Sequence, residues 1–258
     1  MKPPNGAEPA QPVVRVERLT VGYGDRVLLR DVSFEVWRGE VFAVLGGSGS
    51  GKSTLLKHMI GLHRPSCGRV LIEGEDIVAA QGARRAGILR KIGVMYQQGA
   101  LFGSMTLLEN VRLPLEVHTP LDDRAIDLVA RMKLALVQLS GAEERFPAEL
   151  SGGMRKRAAI ARALALDPSI LFLDEPSAGL DPVLSAELDR LVLRLARELE
   201  VTVVLVTHEL DSVFRIVQRA VMLDHKAGGI VAQGDPRALR HSDDPAVRRF
   251  FEAQPALA

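Results

Sequence analysis

Three apolar runs stand out along the chain: Val41-Phe42-Ala43-Val44-Leu45, Ile170-Leu171-Phe172-Leu173 and Thr202-Val203-Val204-Leu205-Val206. Each has the length of a strand and no polar alternation, which predicts strands buried on both faces. Residues 13–21, 32–36, 69–72 and 92–96 predict further strands, with a turn around Gly22-Tyr23-Gly24-Asp25 and a Gly/Arg-rich loop after Gly74. Helical patterns follow two of the apolar runs, at 53–60 and 182–199, and a third helix is expected over 155–166. Between residues 106 and 140 the pattern turns wholly helical. Thr106-Leu107-Leu108-Glu109 has the form of a capping box. Pro120 is expected to open a longer helix, whose Ile126, Val129, Met132 and Leu136 read as a core stripe. Residues 236–253 read as one or two short helices, and there is no internal repeat. The fold class is therefore α/β: a mixed β layer packed on an α/β core, with a helical insertion.

The links between these elements carry the chemistry. Gly46-Gly47-Ser48-Gly49-Ser50-Gly51-Lys52-Ser53 joins a strand to a helix and fits the phosphate-binding P-loop pattern. Its glycines let backbone N–H groups turn inward around phosphates, and the helix N-terminus adds a positive dipole end. Lys52 is expected to reach the β- and γ-phosphates, and the Ser53 hydroxyl to bind Mg²⁺, followed by Thr54 at the helix start. The strand at 170–173 ends in Asp174-Glu175. Asp174 fits a Mg²⁺-anchoring acid, and Glu175 is placed to orient or deprotonate an attacking water. Ser151 reads as an N-cap, with Gly152 and Gly153 leaving a bare helix start that could receive an anion from another subunit. His208 follows the strand at 202–206, from where it can reach a γ-phosphate. The remaining histidines show no metal-ligand spacing.

The chain has 258 residues and a formal net charge of +1, which gives no electrostatic bias toward nucleic acid. Arg84-Arg85 and Arg155-Lys156-Arg157 read as solvated helix faces, or as contacts to headgroups or a partner. Cys67 is the single cysteine, which excludes an internal disulfide. No apolar run reaches the roughly 18 residues of a membrane span. Residues 1–12 read as a disordered leader.

With these residues in order, the chain resembles the ATP-binding cassette (ABC) ATPases over nearly its whole length. Leu150 to Met154 matches the family's signature loop, with Met154 where Gln is commonest. Ser177 to Pro182 matches the D-loop, Val206-Thr207-His208 the H-loop, and Gln97 the Q-loop. The resemblance implies a P-loop NTPase core with an antiparallel β subdomain, and ATP with Mg²⁺ as substrate and cofactor. It implies Glu175, His208 and Gln97 in catalysis, with Gln97 also on the metal, and Asp181 near the nucleotide. Tyr23 would stack on adenine. It divides one ATPase domain into a β and P-loop part (13–96), a Q-loop and insertion (97–150), a signature-to-H-loop part (151–235) and a tail (236–258).

Within that family, Gln97 to Phe102, Thr106, Glu109 to Val111, Pro114-Leu115 and His118-Thr119 resemble the Mla/Mce-type ATPases of bacterial phospholipid transport. So do Arg157-Ala158-Ala159 and the tail Asp244 to Phe250. This likeness implies a second copy in an ATP-sandwich dimer, a membrane permease, an Mce-domain lipid-binding protein and a possible STAS-domain subunit. It implies no nucleic acid, and a place on the cytoplasmic side of the inner membrane, held by the permease. The segment from Gln98 to Leu115, with Leu101, Phe102 and Met105 as apolar anchors, is read as the permease-docking surface, the alternative being that this cluster packs as core under the helical insertion. A polar-amino-acid importer ATPase would share every nucleotide motif. A non-transport ABC clamp would carry a long coiled-coil insertion or tandem cassettes, and this chain has neither.

Overall fold

The computed structural model describes residues 11–23 and 26–252. Most of the expected leader, Gly24-Asp25 of the expected turn, and residues 253–258 of the tail lie outside the described residues.

The core is a six-stranded sheet in the order β10-β9-β3-β8-β7-β6. Its strands are β3 (Val41–Leu45), β6 (Ile92–Met95), β7 (Ile170–Asp174), β8 (Thr202–Val206), β9 (Arg219–Asp224) and β10 (Gly229–Gly234). All neighbours pair in parallel except β9 and β10, which are antiparallel. Every residue of β3, β7 and β8 is buried. Successive side chains enter opposite layers. Val41, Ala43 and Leu45 join one apolar cluster, while Phe42 and Val44 join the other.

The second layer is an antiparallel sheet in the order β2-β1-β4-β5: β1 (Val14–Tyr23), β2 (Arg26–Val36), β4 (Cys67–Ile72) and β5 (Glu75–Asp76). Helix α1 (Lys52–Met59) fills the space between this layer and the core sheet, where Phe34 stacks on Phe42 at 5.4 Å between ring centres. The opposite face of the core sheet is covered by α3 (Leu107–His118), α4 (Asp123–Leu136), α5 (Gly152–Ala163), α6 (Pro182–Glu198) and α7 (Leu210–Ile216). The chain ends in α8 (Pro236–Leu239) and α9 (Pro245–Glu252), whose Val247 and Phe251 complete that cluster.

Several elements differ from the sequence reading. Strand β2 begins at Arg26 rather than at 32; its alternation is broken at Asp31, which has φ 51°, so the pattern hides the first half. Helix α2 (Gly82–Arg90) takes up much of the loop expected after Gly74 and carries the helix face read at Arg84-Arg85. It buries only Ile88 and so has no apolar stripe to read. Thr106 does cap α3 through a reciprocal box with Glu109. In α4 the buried apolar stripe is Ile126, Ala130 and Leu134, continued by Val137 at the helix end, and Met132 is 57% exposed. At about 100° per residue, Met132 lies about 120° from Ile126 around the helix, too far to share its face. The helix also begins at Asp123, capped by Asp122, rather than at Pro120.

Gly93 of β6 lies close against the end of α5. A Cβ there would lie 2.2 Å from the Ala163 carbonyl oxygen, which is backbone and cannot swing aside. Gly93→Ala is therefore expected to lower stability by about 1–3 kcal/mol, the usual range for overpacking. Chemical denaturation of the two proteins measures this, and equal midpoints would contradict the close contact.

Candidate nucleotide site

The parallel strands deliver their carboxyl ends to one edge of the sheet, where open α/β sheets bind ligands. The P-loop follows β3, Gln97 follows β6, Asp174 and Glu175 end β7, and Thr207 and His208 follow β8. Strand β8 lies between β3 and β7, with Val206 beside Asp174 and Val44 beside Val206.

The loop from Gly46 to Gly51 turns tightly into α1. Gly51 caps the helix at φ 96°, a conformation open to glycine. A side chain at Gly46 would sit 2.5 Å from Ser50 Oγ and 2.6 Å from the Leu223 carbonyl. Gly47, Ser48 and Gly49 are exposed, while Ser50 Oγ is buried with no hydrogen-bond partner among the described residues. A buried hydroxyl without a partner is costly and fits a loop built to receive a polar ligand. Lys52 Nζ donates to the carbonyls of Gly46 at 2.9 Å and Gly47 at 3.1 Å. Burial holds its pKa down, opposed by the charges of Glu175 and Asp174.

Ser53 Oγ donates to Asp174 Oδ1 at 3.3 Å. Burial raises the Asp174 pKa, the Ser53 hydrogen bond lowers it, and the Glu175 charge raises it further. Two hard oxygens so close suit Mg²⁺, which takes few protein ligands and completes its shell with phosphate and water. No group of three or more His, Cys, Asp or Glu side chains placed to hold a metal is found among the described residues. The side chain of Gln97 is exposed, and its backbone carbonyl accepts a hydrogen bond from Lys156 Nζ.

Glu175 is the most constrained residue of the group. It is 7% exposed and has φ 47°, a strained value for a side-chain-bearing residue that costs on the order of 1–3 kcal/mol. Its N–H donates to the Val206 carbonyl at 2.8 Å, which fixes the strained turn. Oε2 accepts from Thr207 Oγ1 at 3.2 Å. Oε1 lies 2.8 Å from His208 Nδ1 and 3.8 Å from Lys52 Nζ. A carboxylate can only accept, so Nδ1 carries the proton of that bond.

The structure thus gathers Lys52, Ser53, Asp174, Glu175 and His208, with Thr54 buried in the first turn of α1. Ser151, Gly152, Gly153 and Asp181 form a second group. Ser151 Oγ caps α5 by accepting from Met154 N–H at 3.3 Å. Asp181 Oδ1 caps α6 through Val183 N–H at 2.9 Å and Leu184 N–H at 3.0 Å. A methyl at Gly152 would meet Leu180 at 3.4 Å, so the two helix starts are neighbours. Tyr23 ends β1, and its side chain lies outside the described residues.

Two residues of this region were missed by sequence reasoning. Thr207 was read as part of a motif without a role; its place between a buried strand and His208 was the available signal. Lys156 was read as a solvated residue, yet it is buried, with Nζ donating to the carbonyls of Gln97 and Glu175. Arg157 is also largely enclosed, donating to Gln138 and Glu187. Arg155 and Arg84 are exposed, as a solvated face requires, whereas Arg85 is partly buried and donates to Ile77 and Gly61 carbonyls.

A P-loop at the carboxyl edge of a parallel sheet, facing an Asp-Glu pair and a histidine, defines a nucleoside-triphosphate-hydrolysing cassette. The family model for ABC transporters matches residues 29–178. The chain belongs to the ABC transporter ATP-binding family. It is 41% identical over 250 residues to a probable ribonucleotide transport ATP-binding protein, mkl, of Mycobacterium leprae, covering 97% of this chain and 72% of that one. It is 40% identical over 229 residues to the intermembrane phospholipid transport system ATP-binding protein MlaF of Escherichia coli K12, covering 89% of this chain and 84% of that one. A dimeric ATP-binding cassette solved in a post-hydrolysis state with ADP and Pi superimposes with a TM-score of 0.77 at 31% identity, over 86% of this chain and 98% of that one.

Among the described residues, the buried Lys52 ammonium is held by two loop carbonyls and by the field of two carboxylates. Lys52→Ala is expected to lower nucleotide affinity by tens- to thousands-fold, from a loss of about 2–5 kcal/mol for truncating one side of a buried charge pair. Titration with a fluorescent ATP analogue measures it, and an unchanged Kd would remove Lys52 from phosphate binding.

Proposed function

We propose that this chain is the ATP-hydrolysing subunit of a bacterial transporter that moves phospholipid within the cell envelope. The observation that carries the cargo is the likeness to MlaF proteins, 40% identical in Escherichia coli and 36% in Haemophilus influenzae, over 89% and 95% of this chain. The mkl relative is named for ribonucleotide transport, so ribonucleotide is the competing cargo. No helix among the described residues is long and apolar enough to cross a membrane. By the likeness to MlaF, the subunit would work from the cytoplasmic side of the inner membrane through a permease, with an Mce-domain lipid-binding protein and a STAS-domain subunit.

The geometry supports a mechanism of positioning and charge stabilisation. Lys52 would exchange the Gly46 and Gly47 carbonyls for phosphate oxygens, and Tyr23 would stack on adenine. Loop N–H groups from Gly46 to Ser53, with Thr54 behind them, would cradle the rest of the phosphate chain. Ser53 and Asp174, with Gln97 from across the site, would hold Mg²⁺, which when bound neutralises phosphate charge. Glu175 would accept the proton of the attacking water, and His208 would steady both Glu175 and the γ-phosphate.

The capped, glycine-lined start of α5 would face the nucleotide of a second copy, with Asp181 beside it. A twofold dimer then holds two composite sites, as an isologous interface requires. ATP would close the dimer because the triphosphate touches both copies, and hydrolysis would reopen it. Permease docking would fall on the segment after Gln97. There Phe102 is 49% exposed, with its ring under the Arg162 guanidinium at 5.7 Å, while Leu101 packs partly against the core.

Glu175→Gln keeps shape but cannot take a proton. It should retain ATP binding and lose about 10²–10⁴-fold in turnover. Phosphate release by the purified complex measures this, and near-normal turnover would exclude the base role. Phe102→Ala should leave melting temperature and ATP affinity close to wild type while weakening permease co-purification and lipid transport. A variant that unfolds would mark Phe102 as core, and one that couples fully would move the docking surface elsewhere. The cargo itself is tested by reconstituting the complex in vesicles and assaying phospholipid and ribonucleotide movement separately. ATP-dependent phospholipid movement is expected, and ribonucleotide movement in its place would overturn the reading.

A further inference from the structure

A buried lysine on α5 joins the two halves of the site. Lys156 is 9% exposed, and its ammonium donates to two backbone carbonyls on separate loops: Gln97, and Glu175 at 3.2 Å. Gln97 follows β6, and Glu175 follows β7. Burying an ammonium is expensive unless it is paired and hydrogen-bonded. Here it is surrounded by the charges of Glu175, Glu209 and Asp174, in that order of influence, which oppose the effect of its burial. The same helix holds the loop after Gln97 a second time. Arg162 donates to the carbonyls of Ala100 at 2.7 Å and Gly99 at 3.3 Å. Helix α5 therefore grips residues 97–100 with two cations and reaches the Glu175 turn with one of them.

The start of this helix is the glycine-lined turn capped by Ser151, and Lys156 lies about 7 Å further along its axis at 1.5 Å per residue. Helix α5 runs without interruption from Gly152 to Ala163, so its first turn and Lys156 belong to one hydrogen-bonded element. Displacement at its start would shift the Lys156 ammonium, and with it the carbonyls of Gln97 and Glu175, the two residues assigned above to the metal and the attacking water. Glu175 is already in a strained backbone conformation, so its side-chain direction depends on what holds its carbonyl.

We propose that Lys156 is a positioning residue that ties α5 to the loops of Gln97 and Glu175, so that contact of α5 with the nucleotide of a second copy sets the geometry of hydrolysis at the chain's own site. This rests on the composite-site reading above. It makes the two sites of a dimer mechanically dependent without any direct contact between their nucleotides.

The test is Lys156→Met, which keeps the aliphatic stem and removes the donor, beside Lys156→Arg, which keeps the charge. The full complex is assayed for phosphate release against ATP concentration, with ATP affinity and melting temperature on the same preparations. Lys156→Met is expected to bind ATP within about threefold of wild type. Its kcat should fall roughly tenfold to a hundredfold, the scale of one or two charge-assisted hydrogen bonds. Its Hill coefficient should drop toward one, and Lys156→Arg should recover most of both quantities. A folded Lys156→Met with wild-type kcat and cooperativity overturns the proposal. Equal losses in the Met and Arg variants, matched by equal falls in melting temperature, reduce Lys156 to packing and also overturn it. Should Lys156→Met fail to fold, Lys156→Gln, a neutral donor of shorter reach, is judged by the same criteria. A wild-type complex without cooperativity sinks the composite-site reading and the coupling together. A cooperative wild type matched by Lys156→Met sinks the coupling alone.

Discussion

The parallel pairing of β3, β8, β7 and β6 is the constraint on which everything else depends. Its register sets Val44 beside Val206 and Val206 beside Asp174, so the P-loop, the Asp-Glu pair and His208 leave the sheet at one edge. The register is held by burial on both faces, because a one-residue slip would exchange the two apolar layers. The antiparallel layer and α1 cover one face, and α3 to α7 cover the other. The site is thus fixed by the same packing that gives the domain its stability.

Charge is balanced within that edge. Lys52 and Lys156 are both buried, and both feel Asp174 and Glu175. Neither forms a tight ion pair; Lys52 stands 3.8 Å from Glu175, and each ammonium is satisfied chiefly by backbone carbonyls. Such an arrangement leaves the cations free to change partners. A phosphate chain brings stronger acceptors than two carbonyls, so Lys52 can move to it at little cost. Lys156 is buried and bonded to carbonyls on two loops, which suits a role in holding them.

Much of this was legible in the sequence because the signals were local. The runs at 41–45 and 202–206 needed no partner to declare themselves, and the P-loop carries its chemistry in consecutive residues. The capping box at Thr106 is likewise complete within four residues. What stayed hidden depended on distant contacts. Lys156 reads as one of three consecutive cations, and only the fold turns it inward onto Gln97 and Glu175. Met132 repeats an apolar residue type without sharing the buried face of α4. Helix α2 buries a single side chain, and the first half of β2 is masked by a left-handed residue at Asp31.

A crystal structure of the chain with Mg²⁺ and a non-hydrolysable ATP analogue would show whether the carboxyl edge of the parallel sheet is the nucleotide site. The account predicts the nucleotide across the carboxyl edge of β3, β8 and β7, with Lys52 Nζ withdrawn from Gly46 and Gly47 and within about 3 Å of a phosphate oxygen. It also predicts that the Ser151 turn of a second copy closes over the γ-phosphate. A nucleotide bound elsewhere, or one bound while Lys52 keeps its two carbonyl partners, would contradict it.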